Sequence, residues 1–360
     1  MPPLKPLRAK LIANLLFVNM KLARLSVCLI LVSAGLHQVQ AQSFGTGVPT
    51  GPAAAASGAN LGVAEWLKRM HDASRHRTYM GTFVVTSAAG QMASSRIWHV
   101  CDGVQQINRV ESLTGTPRST FRRNDEVLTF LPDQRVVRSQ RQDALGSFPN
   151  LAATNEAAIG EFYSARKLGV DRVAGFDADV LALAPTDALR FGYRVWSEKR
   201  TGLVVKVQTL DFQGRVIEQA AFSELQLDAP VSMSKLAQMM ANTEGYKVER
   251  ADPVKTTAAA EGWALKAPIP GYKPVSCYKR TSAAAAQAGG SMQWIFSDGL
   301  ASVSLFVEPF DRERHLHEVL LASGATMTLT RRINDWWLTA MGEVPPQALQ
   351  AFAQSLERKK

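Results

Sequence analysis

Short apolar runs that alternate with polar residues, separated by closely spaced turn residues, constrain the fold of this 360-residue chain more than any other feature. Several such runs follow one another between residues 79 and 138, among them Thr82-Phe-Val-Val-Thr and Arg96-Ile-Trp-His-Val. A period of two is typical of strands with one buried face. The connections, for example Asp102-Gly103, are short enough only for antiparallel neighbours. The sequence therefore predicts an antiparallel meander.

The same pattern resumes between residues 170 and 225, after a less regular, partly helical stretch over residues 150–167. Residues 61–229 are predicted to form a large antiparallel sheet, a barrel or part-barrel, that begins with a helix carrying Trp66, Leu67 and Met70 on one face. Residues 230–262, polar and irregular after a short helix, are predicted to be a linker. Residues 263–360 have strands of their own and a closing helix that begins at Pro345-Pro346.

The first 60 residues indicate export and a tether. Residues 26–36 are apolar, basic residues precede them, and Val39-Gln40-Ala41 suits a signal peptidase, so residues 1–41 are predicted to be a signal peptide. Residues 42–60 are mainly Gly, Ala, Ser, Thr and Pro and are predicted to be a flexible tether. The net charge of +10 includes five basic residues of the signal peptide, and the remaining +5 does not call for a nucleic-acid partner.

No constellation for catalysis, a metal or a cofactor is recognisable. The chain lacks the Gly-x-Ser-x-Gly, His-Glu-x-x-His and Gly-x-Gly-x-x-Gly patterns. His315 and His317 are close in sequence, but the charged residues around them favour a solvated loop. For Cys101 and Cys277, a disulfide and two separate buried thiols both fit an exported chain.

Two groups of residues are candidates for ligand binding. Arginines are concentrated between residues 118 and 141, where they either bind phosphates or form a solvated sheet face. Aromatic residues are frequent in the large domain, where most must be core and some could line a lipid-sized cavity. The candidate contacts to an anionic lipid are Arg118, Arg122, Arg123, Arg135 and Arg138, and the candidate cavity residues are Phe83, Trp98, Phe130, Phe162, Tyr163, Phe191 and Tyr193.

An ordered set of motifs spans the exported chain. The motifs are Tyr79-Met-Gly-Thr-Phe-Val-Val, Arg96-Ile-Trp-His with Asp102-Gly103, Gly115-Thr-Pro-Arg118, Arg190-Phe-Gly-Tyr-Arg-Val-Trp196 with Thr201-Gly-Leu203, Ser297-Asp-Gly-Leu-Ala-Ser-Val-Ser304 and Gly342-Glu-Val-Pro-Pro346. In this order they resemble the RseB/MucB family, periplasmic negative regulators of the sigma-E envelope-stress response.

The resemblance implies an α+β fold that is mainly antiparallel β. It consists of a large half-open barrel domain similar to lipoprotein carriers, and a smaller antiparallel sheet domain with a helix. It also implies a periplasmic, non-enzymatic protein that binds the periplasmic region of a membrane-anchored anti-sigma factor and protects it from regulated proteolysis. Lipid or lipopolysaccharide is the implied signal. A periplasmic carrier of lipid or lipoprotein is the alternative function, and a homo-oligomer is left open.

Overall fold

The computed structural model describes residues 62–141, 156–251, 253–280 and 291–359, so the predicted signal peptide and tether lie outside the described residues. Twelve strands form a large sheet. They are β1 (Tyr79–Ser87), β2 (Met92–Cys101), β3 (Gln106–Ser112), β4 (Ser119–Arg123), β5 (Glu126–Leu131), β6 (Val136–Arg141), β7 (Tyr163–Val173), β8 (Phe176–Pro185), β9 (Gly192–Glu198), β10 (Val204–Leu210), β11 (Val216–Leu227) and β12 (Lys247–Ala251).

The large sheet joins two antiparallel meanders. Its strand order is β12-β6-β5-β4-β3-β2-β1-β11-β10-β9-β8-β7, and the pairing of β1 with β11 connects the meanders at its middle. The parallel pairing of β12 with β6 is the exception to the antiparallel pattern in this sheet. Because β12 and β7 stand at opposite ends of the order, the described strands form an open sheet.

Two helices pack together on the large sheet. Helix α1 (Val63–His76) lies where the apolar spacing predicts it, and Trp66, Leu67 and Met70 are buried in one cluster with sheet residues. Helix α2 (Glu156–Phe162) contacts α1 and leads directly into β7. Strand β7 therefore begins earlier than the strand predicted from residue 170. Its side chains are buried only at the two end residues, so the alternation that reveals a strand is missing.

The predicted linker is largely structured. Helix α3 (Met233–Ala241) is capped by Ser232, whose Oγ accepts a hydrogen bond from the backbone N–H of Lys235 at 3.2 Å. Strand β12 then extends one edge of the large sheet, and β13 (Val254–Lys255) lies at the edge of a second sheet. The expectation of an irregular chain is wrong here, because edge strands keep polar side chains exposed and so resemble loops in composition.

Seven strands form the small sheet, in the order β13-β15-β16-β17-β20-β19-β18. After β13 its members are β15 (Lys273–Arg280), β16 (Ser291–Ser297), β17 (Ser302–Pro309), β18 (Leu320–Ser323), β19 (Thr326–Ile333) and β20 (Trp336–Gly342), while β14 (Trp263–Leu265) pairs with β21 (Leu356–Arg358). Helix α4 (Pro346–Ser355) places Leu349 and Phe352 in the core of this domain. Leu356, directly after that helix, begins β21.

The fold class expected from the resemblance is confirmed. The described chain is mainly antiparallel β with few helices, and a large open sheet is accompanied by a smaller sheet that has its own apolar core.

Replacing Leu236 of α3 by Ala is expected to lower the free energy of unfolding by about 2–5 kcal/mol, the usual cost of truncating a buried leucine. Leu236 is buried in the core of the large domain, although it lies in the predicted linker. Lys235→Ala, at the exposed neighbouring position, is the control and should change the free energy of unfolding by less than about 0.5 kcal/mol. Urea unfolding followed by tryptophan fluorescence measures both. Equal, small losses would show that α3 is a detachable part of a linker.

Candidate functional site

Helix α3 covers an apolar cluster on one face of strands β2 to β6, which we call the α3 face. Its buried members are Val100, Ile107, Phe121, Leu128, Phe130, Val137, Leu236 and Met240. Trp98, Met233 and Met239 are partly buried against them. Methionine side chains are flexible and polarizable. The cover of this face is therefore better able to adapt to a different neighbour than a cover of branched side chains would be.

The strand register divides the candidate arginines between two faces of the sheet. Arg123 stands in one row across β4, β5 and β6 with Glu126 and with Arg141, an arginine outside the five candidates. This row is on the α3 face, because Phe121 lies two residues from Arg123 in the same strand. Arg122 and Arg138 have the opposite parity and lie on the other face. The five candidates are therefore not brought together at one site.

Several of the arginines are held by neighbouring polar groups of the chain. Arg123 donates from Nε and Nη2 to Oε1 of Gln105, at 2.9 and 2.6 Å. Arg122 donates from Nε to the carbonyl oxygen of Asn124 at 2.9 Å. Both side chains are thus oriented by the hairpins at this end of the sheet.

The remaining candidates contribute to the local structure of the sheet. Arg138 lies across from Glu249 of β12, with its Nε 3.7 Å from Oε2 of that residue. Arg118 precedes β4, and burial lowers the pKa of its guanidinium. Arg135 ends the turn before β6 with a left-handed φ of 49°.

The aromatic candidates are also dispersed. Trp98 and Phe130 belong to the α3 face. The others lie in different parts of the core. Phe83 packs against the cluster that contains Tyr79, and Phe191 is buried before β9. The cluster around α1 includes Phe162, Tyr163 and Tyr193. The structure therefore brings together Trp98, Phe130 and Arg123 on one face, and it separates the rest from them.

A buried arginine, Arg190, connects the two domains. Its side chain is 0% exposed, and its Nε donates to Oδ2 of Asp298 at 2.9 Å. Its Nη2 donates to the carbonyl oxygen of Pro270 at 2.7 Å, and its Nη1 pairs with Asp187. Asp298 and Pro270 belong to the small domain. Two of these three partners of Arg190, a side chain of the large domain, are therefore groups of the small domain.

Aromatic side chains enclose this ion pair. The guanidinium of Arg190 lies 4.3 Å from the ring centre of Phe162 and 4.7 Å from that of Tyr272. The hydroxyl of Tyr163 donates to Oδ2 of Asp298 at 3.2 Å. Burial raises the pKa of Asp298, although Arg190 and a backbone N–H favour its charged form. Burial likewise raises the pKa of Tyr163 and Tyr272 well above their usual range.

A second contact between the domains lies at the tip of the β18–β19 hairpin. The backbone N–H of Ala325 donates to Oε2 of Glu218 in β11 at 3.1 Å. Gly324 has a φ of 60°, and a Cβ at this position would clash with the Glu218 carboxylate. Leu189 packs against the core of the small domain, and Leu300 packs against the core of the large domain. We call the Arg190 and Glu218 contacts, with these leucines, the domain joint.

The joint is the feature that sequence reasoning missed. Arg190 and Asp298 both lie in motifs that carry the family resemblance, but a single sequence does not show that they meet. Their presence in these motifs was the one indication in the sequence that the two residues have a role.

The structure decides between the two alternatives for the cysteines and corrects the expectation for His315. Cys101 in β2 and Cys277 in β15 are free thiols, so the disulfide alternative is wrong. His315 is not solvated: its ring stacks on Trp337 with centroids 4.7 Å apart, and its Nε2 lies 3.0 Å from Oε1 of Glu308. Within the described ranges, no group of three or more His, Cys, Asp or Glu side chains is arranged to hold a metal ion. In the same part of the chain, no helix combines the length and apolar character needed to cross a membrane.

Two open pockets flank the end of α1. One, of about 400 Å³, is lined mainly by charged side chains of α1, and the other, of about 610 Å³, shares His76 and Arg77 with it. None of the candidate arginines or aromatic residues lines either pocket. Both are open to solvent and carry charged side chains on their walls, so neither encloses an acyl chain in apolar surface.

Two family models match the chain in order. The MucB/RseB N-terminal domain matches residues 62–240, and the MucB/RseB C-terminal domain matches residues 257–357. The first match extends through most of α3, consistent with its place in the core of the large domain.

Curated relatives extend along most of the chain. Sigma factor AlgU regulatory protein MucB of Pseudomonas aeruginosa is 27% identical over 307 residues, which cover 82% of this chain and 90% of the relative. Sigma-E factor regulatory protein RseB of Escherichia coli K12 is 23% identical over 298 residues, which cover 81% of this chain and 89% of the relative.

Solved structures share the fold. One chain in the structure of the Pseudomonas aeruginosa MucA/MucB complex matches this chain with a TM-score of 0.64 at 23% identity. The match covers 83% of this chain and 99% of that chain. A structure of MucB matches with a TM-score of 0.60 at 22% identity, over 82% of this chain and 98% of that chain. Since the two family models together cover both domains, this chain belongs to the MucB/RseB family.

Proposed function

We propose that this protein is a periplasmic regulator that acts by binding rather than by catalysis. It holds the periplasmic region of a membrane-anchored anti-sigma factor and protects that region from regulated proteolysis. The observation that carries the proposal is the pair of family matches, which run in order over both domains. It is supported by the curated relatives, which are named as regulatory proteins of sigma factors, and by the crystal structure of MucB in complex with MucA(peri). The predicted signal peptide supports a periplasmic location.

The second ligand of the proposal is an anionic lipid or lipopolysaccharide, bound at the α3 face. This face has the two parts that an amphipathic molecule requires. Trp98 and Phe130 offer apolar surface for an acyl chain, and Arg123 and Arg141 stand at the end of the same face for an anionic head group. Each buried methylene contributes roughly 0.8 kcal/mol, so one chain can replace the contacts of the α3 side chains it displaces.

Lipid and anti-sigma factor oppose each other in this proposal. The partner is held by the small domain together with the interdomain region. A lipid beneath α3 moves that helix, which is followed in the chain by β12 and then by the first strand of the small sheet. If lipid weakens the binding of the partner, the partner must weaken the binding of lipid by the same factor.

A periplasmic carrier of lipid or lipoprotein is the alternative, because the α3 face would suit that function too. A carrier has no need of the small domain, which has a core of its own and is fixed to the large domain by Arg190. The regulator is therefore the better supported function.

The exported chain is expected to lengthen the lifetime of the anti-sigma factor's periplasmic region in the presence of the protease that initiates its degradation, because the bound region is covered. The measurement is the rate of cleavage of that region, with and without an excess of the full exported chain. The same region with a scrambled sequence is the control, and its cleavage should be unaffected. Equal cleavage rates for the native region, together with recovery of lipid or lipoprotein by the chain, would favour the carrier.

The double variant R123Q/R141Q is expected to bind vesicles containing phosphatidylglycerol at least about tenfold more weakly than the native chain, because two charge-assisted hydrogen bonds to head groups are lost. The matched control R122Q/R138Q removes the same charge from the opposite face and should bind nearly as the native chain does. Co-sedimentation with vesicles measures both. An equal loss in the two variants would mean that binding follows net charge and does not use the α3 face.

A further inference from the structure

The described residues place two charged contacts between the domains. One joins Arg190 to Asp298, and the other joins Glu218 to the backbone N–H of Ala325. The three charged side chains belong to buried residues, so water does not screen either contact. The chain itself leaves the large sheet at β12, which stands at the opposite end of the strand order from β8 and β9, the strands on either side of Arg190.

The free energy needed to open a contact between buried charges differs from the free energy needed to open an apolar interface. The attraction within a buried ion pair is largely offset by the loss of hydration of its members. When the joint opens, water restores that hydration to Arg190 and Asp298. The raised pKa of Asp298 is consistent with this, because it shows that the closed joint disfavours the charged carboxylate. Opening therefore costs less than exposing an equal apolar area.

We propose that the domain joint is a latch whose two contacts open and close together, so that the small domain separates from the large domain as an intact unit. Each domain has its own buried apolar core, and separation at the joint withdraws from these cores only side chains packed at their margins, such as Leu189 and Leu300. A latch of this kind provides two discrete arrangements of the domains, and a ligand that prefers one of them shifts the population.

The test breaks one contact and observes the other in the free, full exported chain. Arg190→Met leaves Asp298 without its cationic partner and is expected to open the latch. The amide of Ala325, which belongs to the Glu218 contact, should then exchange its hydrogen at least about 100-fold faster. Amides of β10 and β20, in the two cores, should exchange as in the native chain. Hydrogen exchange with residue-level mass spectrometry measures all of them.

Two further variants distinguish the opening of a latch from a general effect of losing a charged side chain. Arg215→Met breaks an exposed pair with Asp211 in the same domain and should leave Ala325 unchanged. R190M/D298N removes the uncompensated carboxylate and should slow the exchange of Ala325 relative to R190M. If R190M does not fold, Asp298→Asn serves instead, since Oδ1 of the amide can still accept the hydrogen bonds from Leu300 and Ala301.

Each outcome supports or overturns the latch. Faster exchange at Ala325 with unchanged cores supports it. Unchanged exchange at Ala325 in a folded variant would show that the two contacts are independent, and faster exchange throughout a core would show that Arg190 supports folding instead. The experiment needs neither lipid nor an anti-sigma factor, so its result is independent of the proposed function.

Discussion

The buried guanidinium of Arg190 is the interaction on which the arrangement of the two domains depends. It is shared between carboxylates of both domains, Asp187 in its own and Asp298 in the other. Leaving one member of such a pair buried without its partner costs about 3–5 kcal/mol, so whenever the joint is closed the domains meet in the one way that satisfies the pair. Even the backbone is adapted to it: Gly271 has a φ of 76°, and a Cβ at this position would clash with the guanidinium. One buried charge thus fixes the position of one sheet against the other.

The path of the chain between the sheets gives the fold a second connection. Helix α3 closes the apolar face of β2 to β6, β12 continues from it along β6, and β13 then enters the small sheet. The cover of the proposed lipid surface and the first strand of the small domain are therefore neighbours in sequence. If lipid displaces Leu236 and Met240 from the sheet, as proposed, strand β12 is the part of the chain that lies between this displacement and the small domain.

Strands with one buried face were predictable because their side chains alternate, as at Ile97 in β2, and helix α1 was predictable from the spacing of its buried residues. The first half of β7 and the whole of β12 were not, since edge strands expose residues of both parities. Arg122 and Arg123 look like one cluster in sequence, yet adjacent residues of a strand point to opposite faces. Arg190 and Asp298 are 108 positions apart, and only the packed fold shows that they meet.

The central claim is that a lipid at the α3 face and a protein partner oppose each other through this one chain. Calorimetric titration of the anti-sigma factor's periplasmic region into the full exported chain, at increasing concentrations of anionic lipid, tests it most directly. The partner's Kd should rise by about 5- to 150-fold, and the Kd of the lipid should rise by the same factor when the partner is present. A Kd for the partner that stays constant while lipid binds would contradict the account and leave the protein as a passive shield.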